Sequence, residues 1–345
     1  MIKNIFNRIF SSSTKNIEDL CTAVWQNDIL LTRSCLAEGT NPNEKDKKGS
    51  YPIFYALQKG NFDIISLLLE NKTDANIREE PSGNTPLMLA VFEKRKDIVG
   101  LLLKHGADIE AKLESGNKTN ALFLAIKGGD EEMVELLLKR GANLNTKLDN
   151  GTTPLVYSII YNKFRVCYTL LANGVNVNEI SNDKGVTPLM FCTMEKNFDL
   201  LNLLLYYKPD IDKLDNAGIT ALHYAVLHDN KEIVERLLQE KANINPKNIS
   251  ECSPLLLASS MGNLSMVRLL LDNGANPNIL GKEVVPPIFA AMVKGHTKVE
   301  ELLLKNGSKT WEELRKDVFK KFTNEQISEE LGLEINEIIN ARRNK

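Results

Sequence analysis

Long apolar runs are missing from this sequence. None approaches the eighteen or so residues that a membrane-crossing helix needs. Neither sign of charge prevails: 43 Lys and Arg against 45 Asp and Glu leave a net charge of −2. That balance argues against a protein that holds nucleic acid through bulk positive charge. The five cysteines (Cys21, Cys35, Cys167, Cys192 and Cys252) are scattered and form no Cys-x-x-Cys pair. They read as small buried hydrophobes in a reducing, cytoplasmic compartment. Histidines number four, and no His/Cys/Asp/Glu group has metal-ligand spacing. No Gly-rich phosphate loop follows a strand pattern, and no nucleophile elbow or triad-like element stands out. The expectation is no enzyme, no cofactor, no metal and no small-molecule substrate.

What the chain has instead is one stretch used many times. Gly83 to Ala107 reads Gly-Asn-Thr-Pro-Leu-Met-Leu-Ala, and later Lys-Asp-Ile-Val-Gly-Leu-Leu-Leu-Lys-His-Gly-Ala. With Pro86 as anchor, its counterparts are Asp19, Pro52, Ala121, Pro154, Pro188, Ala221, Pro254 and Pro287, spaced by 33 to 35 residues. A second anchor keeps the same frame. Ala90 and Gly106, sixteen residues apart, recur as Ala23 with Gly39 and as Ala258 with Gly274, while Cys192 fills one small-residue slot. Two independent anchors in register over about nine units define a repeat architecture.

The physics within each repeat is consistent. Pro suits a first helical turn, where its missing N–H costs nothing. Thr85, Thr153, Thr187 and Thr220 precede the anchor as capping residues. Ile98, Val99, Leu101, Leu102 and Leu103 form the buried stripe of a second helix, and the following Gly can end it in the left-handed conformation. Where Lys72, Lys208 and Lys241 take that Gly slot, the conformation costs on the order of 1 kcal/mol. Gly49, Gly83, Gly151, Gly185 and Gly218 then mark the tip of a turn.

The Thr-Pro-Leu start and Leu-Leu-x-x-Gly-Ala end resemble those of the ankyrin-repeat family, over roughly residues 16 to 309. The resemblance implies an all-α solenoid of about nine helix-turn-helix units with projecting finger turns. It also implies that the usual task is binding another protein. His223 occupies the family's Thr-x-Leu-His position, which implies a structural role. The abundance of Asn, Lys and Ile is similar to that of ankyrin proteins of intracellular bacteria, which would make a host-directed effector one form of the function.

The ends differ from the array. Residues 1–15 place Ile2, Ile5, Phe6, Ile9 and Phe10 at amphipathic helical spacing, read as a cap on the first repeat. Residues 310–345 form a helical extension, opened by a capping box of Thr310 and Glu313. The run Ser328, Gly332, Ile338 resembles the spacing of a helix-turn-helix, so the alternative function is a regulator that couples the array to DNA. Charge opposes it. Residues 323–345 carry five acidic and three basic side chains, and Glu334 and Glu337 open the would-be recognition helix. A pure scaffold would need a second partner surface on this extension. A capped array needs no second subunit, so a monomer is expected.

The informative residues are those the fold does not need. In this family the partner strip resembles a line of finger tips and first-helix ends, two residues before and six and seven after the anchor. Those positions supply Phe92, Ile160, Tyr161, Val186, Met194, Ile219, Leu227, His228, Met261 and Val285 as the candidate partner-binding set. Polar residues dominate the strip in the first repeats, and apolar ones in repeats five to nine. A contiguous exposed apolar set marks an interaction site, with Tyr161 as an aromatic anchor and the methionines as adaptable contacts.

Overall fold

The structure is a computed structural model that describes residues 15–310, except 115, 117, 247–251 and 281–284, together with 313 and 316. The cap expected at 1–15 and the helix-turn-helix spacing at 328–338 fall outside the described residues, apart from residue 15. Every regular element among the described residues is an α-helix. The chain divides into two compact units, Met1–Val175 and Asn176–Lys345.

The first unit holds five helix pairs: α1 (Ile17–Trp25) with α2 (Ile29–Ala37), α3 (Pro52–Lys59) with α4 (Phe62–Glu70), α5 (Pro86–Phe92) with α6 (Lys96–Lys104), α7 (Ala121–Gly128) with α8 (Glu131–Lys139), and α9 (Pro154–Ile160) with α10 (Phe164–Ala172). The second holds four: α11 (Pro188–Met194) with α12 (Phe198–Tyr206), α13 (Ala221–Leu227) with α14 (Lys231–Gln239), α15 (Pro254–Ser260) with α16 (Leu264–Asp272), and α17 (Pro287–Val293) with α18 (Thr297–Lys305). Helices of seven to nine residues are too short to persist alone in water, so packing must hold them. Within each unit first helices stack on first helices and second helices on second helices. The small residues Ala23, Ala56, Ala90, Ser158, Cys192, Ala225, Ala258 and Ala291 are buried in that stack, as are Ile98, Val99 and Leu102 of the apolar stripe.

Capping follows the sequence closely. Thr85, Thr153, Thr187 and Thr220 each accept a hydrogen bond from the N–H three residues on, and Asn120 and Ser253 do the same for α7 and α15. Repeat one departs from the frame. Its first helix opens two residues before Asp19, because Asn16 caps it and Asp19 returns a bond to the Asn16 N–H at 3.2 Å. Thr310 and Glu313 likewise exchange capping-box bonds, with Glu313 N–H donating to Thr310 Oγ1 at 3.3 Å and Thr310 N–H to Glu313 Oε2 at 2.7 Å.

Asparagine ties successive repeats together. Asn76 accepts from the Asp108 N–H at 2.7 Å and donates from Nδ2 to the Gly106 carbonyl at 3.0 Å. Asn43 does the same with Asp74 and Lys72, and Asn278 with Lys309 and Gly307. Each of these side chains is set by an Asx turn, in which its own N–H donates to an Asn or Asp side chain two residues earlier. Lys72, Lys208 and Lys241 do adopt the left-handed backbone read for them, with φ of 67°, 53° and 66°.

Fingers close on themselves through the backbone. Asp46, Glu79, Ser181 and Asp215 donate their N–H groups to the carbonyls of Ser50, Asn84, Val186 and Ile219 respectively. Asp46 and Asp215 brace two fingers further. Each accepts two turn N–H groups on Oδ1 and a tyrosine hydroxyl on Oδ2, from Tyr55 at 2.7 Å and Tyr224 at 2.8 Å. Burial, with the bond to Asp46, pushes the Tyr55 hydroxyl up to about 12.

Candidate functional site

In the first unit the ends of the first helices carry exposed rings. Six residues past the anchor stand Trp25, 46% exposed, and Phe92, 70% exposed, with Ile160 exposed in the same register. Tyr161 follows at the next position, also exposed. Trp25 belongs to this set although it is not among the sequence candidates. Its signal was available in its six-residue distance from Asp19.

Two lysines cover the rings. Lys59 Nζ sits 3.7 Å from the Trp25 ring centroid and Lys127 Nζ 5.6 Å from that of Tyr161. Such contacts are favourable by about 0.5–1 kcal/mol at exposed sites. Trp25 meets Tyr55 edge-on at 5.8 Å, and Tyr161 leans on Tyr157 at 4.7 Å, which itself meets Phe123 at 5.1 Å. The unit therefore presents aromatic surface braced from beneath, so little side-chain entropy remains to be lost on contact. Polar residues do hold Gln58 and Lys127 in this strip, as the sequence suggested, but Trp25 and Phe92 make the early repeats less polar than expected.

Between repeats two and three lies a recess of about 200 Å³. Its floor is Phe54, Leu57, Leu89 and Ile98, and Glu79 and Glu93 stand on its wall with Arg95. Arg95 occupies the N-cap slot of α6 but makes no cap bond. Its guanidinium pairs with both oxygens of Asp97, at 3.0 and 2.6 Å, and donates to the Gly60 carbonyl at 2.8 Å. Gly60 has φ of 65°, and a Cβ there would lie 2.6 Å from Arg95 Nη1, so a larger residue would push the guanidinium from its place over the turn.

In the second unit the strip candidates carry no Phe, Tyr or Trp ring but aliphatic and methionine side chains with one histidine. Leu227 and Met261 are exposed, and Met194, Ile219, His228 and Val285 are half-buried. Val186 is a correction. It is 3% exposed, because its side chain packs with the core at the finger base, where the backbone closes from the Ser181 N–H to the Val186 carbonyl at 3.1 Å. Phe92, Ile160 and Tyr161 belong to the first unit and the remaining candidates to the second, so the set forms two groups, one in each unit.

His223 is buried and holds a structural bond network. Nδ1 accepts the Thr220 N–H at 3.2 Å, while Nε2 donates to the Cys252 carbonyl at 2.9 Å, and burial lowers its pKa. Burial pushes the Cys21 and Cys167 thiols up to about 12, which makes them poor nucleophiles. Among the described residues no group of three His, Cys, Asp or Glu could hold a metal ion, and no helix is long and apolar enough to cross a membrane.

Stacked helix pairs, capped by Thr-Pro and linked by closed fingers, define a helical repeat protein. The family description "Ankyrin repeats (3 copies)" matches residues 20–113, 110–181, 162–248 and 189–281. The chain belongs to the ankyrin-repeat family. It is similar to the fowlpox virus (strain NVSL) ankyrin repeat protein FPV222, 36% identical over 61 residues, which are 18% of this chain and 8% of that protein. The chain thus matches only a small part of that relative's length. Among solved structures it is similar to the ankyrin repeat domain of Bcl-3, a member of the IkappaB protein family, with a TM-score of 0.59 and 25% identity over 65% of this chain and 99% of that one.

Proposed function

We propose that this chain is a non-catalytic protein-binding module, and that its contacts are made by the exposed ends of the first helices and the adjacent fingers. One observation supports this most. The position six residues past the anchor carries large exposed apolar side chains, Trp25, Phe92, Ile160 and Leu227, that no core or turn requires. An ordinary surface would scatter such residues rather than hold them in one register. Five free cysteines, four of them buried, suit a reducing compartment such as the cytoplasm.

Affinity capture with the wild-type chain, a Tyr161→Asp variant and a Leu227→Asp variant tests the reading, with folding of each followed by circular dichroism. A partner lost from one variant, at a stability cost near 1 kcal/mol or less as for a surface site, is the expected result. Identical captures from all three would move binding away from these helix ends. Loss of folding would make Tyr161 and Leu227 core residues.

A further inference from the structure

The geometry points to a cation-accepting recess in the first unit: the cavity between repeats two and three takes the ammonium or guanidinium of a basic side chain on a protein partner. This inference rests on the protein-binding reading above and adds the chemistry of one anchor residue.

The space exists because its neighbours are engaged elsewhere. Lys59 lies on the Trp25 ring of repeat one, and Tyr55 bonds back to Asp46 and meets Trp25 edge-on. Lys59 does not line the recess and Tyr55 stands on its wall, which leaves the apolar floor of Phe54, Leu57, Leu89 and Ile98 under an opening. A volume of about 200 Å³ has room for one long side chain.

Charge then selects the side chain. Glu93 has no ion-pair partner among the described residues, and Glu79 is met only by the neutral Ser82 hydroxyl, at 2.7 Å. The one cation on the wall, Arg95, is already committed to Asp97 and to the Gly60 carbonyl. Two uncompensated carboxylates repel an anion, and a purely apolar side chain would desolvate them without return. Lys and Arg alone combine an apolar stem for the floor with a charged head for the rim. Exposed Phe92, in repeat three beside the recess, favours an apolar residue next to that cation.

Random linear peptides displayed on phage, selected on the full chain at low salt, are the probe. Enriched peptides should carry Lys or Arg beside an aromatic or aliphatic residue. Their affinity should fall about tenfold or more for the Glu79→Gln/Glu93→Gln variant, since hydrogen bonds to charged groups are worth that much. Both substitutions are isosteric, and unchanged circular dichroism and unfolding midpoint would confirm an intact fold. Peptides that lack basic residues, or that bind the double variant as tightly as wild type, overturn the recess. If those same peptides are lost with Phe92→Asp, the protein-binding reading stands without it. A library that yields nothing sensitive to either variant overturns both.

Discussion

Replacing Asn76 with alanine should loosen the junction between repeats two and three of the array while leaving every helix intact. The side chain makes two inter-repeat bonds, accepting the Asp108 N–H at 2.7 Å and donating to the Gly106 carbonyl at 3.0 Å. Neutral hydrogen bonds contribute about 0.5–1.5 kcal/mol each, and both groups here are reachable by water, so the expected loss is about 1–2 kcal/mol. The Asx turn that precedes it uses the backbone N–H of Asn76 at 2.8 Å and survives the substitution. Glu110 shows what the acceptor alone can do, because it takes the Asn143 N–H at 2.8 Å without any donor of its own. An Asn76→Asp variant should therefore retain part of the stability. Asn278→Ala repeats the experiment in the second unit, where the bonds to Lys309 and Gly307 are both 2.9 Å. Urea unfolding gives the energies, and amide hydrogen exchange at Asp108 shows whether the loss is local. An alanine variant with the wild-type midpoint and a still-protected Asp108 amide would refute the ladder as a stabilising device.

Two further outcomes follow from buried polar groups. His223 is held below its ordinary 6.5 by burial, outweighing its bond to Cys252 and the nearby Asp215. The unfolded chain then takes up the proton first, so stability is full above about pH 6.5 and is lost as pH falls toward the folded value. His223→Gln should flatten that part of the urea-midpoint profile, and an unchanged slope would remove His223 as its source. Carboxylates such as Asp97, held low by Arg95, act only in a separate window below about pH 4. Ser259 is fully buried and its hydroxyl has no hydrogen-bond partner among the described residues. Ser259→Ala should raise the melting temperature, by up to about 1 kcal/mol in stability, as an unsatisfied group is removed. A clear loss would mean the hydroxyl has a partner after all.

Helix starts were legible because Thr-Pro specifies them physically, through a side-chain acceptor and a fixed φ, and Thr85, Thr153 and Thr187 cap as read. Other features were hidden in plain composition. Abundant asparagine looked like a mark of genome bias, yet Asn43, Asn76 and Asn278 are cross-repeat struts. The turn between paired helices also passed unread. There the backbone is left-handed at Asn27, Gly60, Lys94, Gly129, Asn162, Lys196, Asp229, Gly262 and Gly295. Residue type gives no signal at that position, since five of the nine are not glycine. The glycines do carry information one repeat later. Gly60, Gly129 and Gly262 are followed there by Arg95, Lys163 and His296, which pass over the bare Cα, whereas a bulkier turn residue is followed by a capping Asn or Asp. Val186 was misplaced for the opposite reason. Register alone puts it on the strip, but its side chain lies with the core, whereas Ile219, held by the same finger bonds, is half-buried.

Separating what the fold uses from what it leaves over gives the two units different surfaces. In the first, the leftover residues are rings held by lysines, Trp25 under Lys59 and Tyr161 under Lys127, with exposed Phe92 next in the chain to Glu93 on the recess wall. Rigid aromatics next to acidic groups reward a partner that offers both apolar and cationic residues, and they punish an acidic one. In the second, Leu227 and Met261 are aliphatic, Met194 is adaptable and His228 is the one titratable group of the candidate set. That surface rewards shape and apolar area, with little electrostatic selection. High salt should accordingly weaken contacts made by the first unit far more than those made by the second, because screening acts on the carboxylates and leaves the methionines untouched.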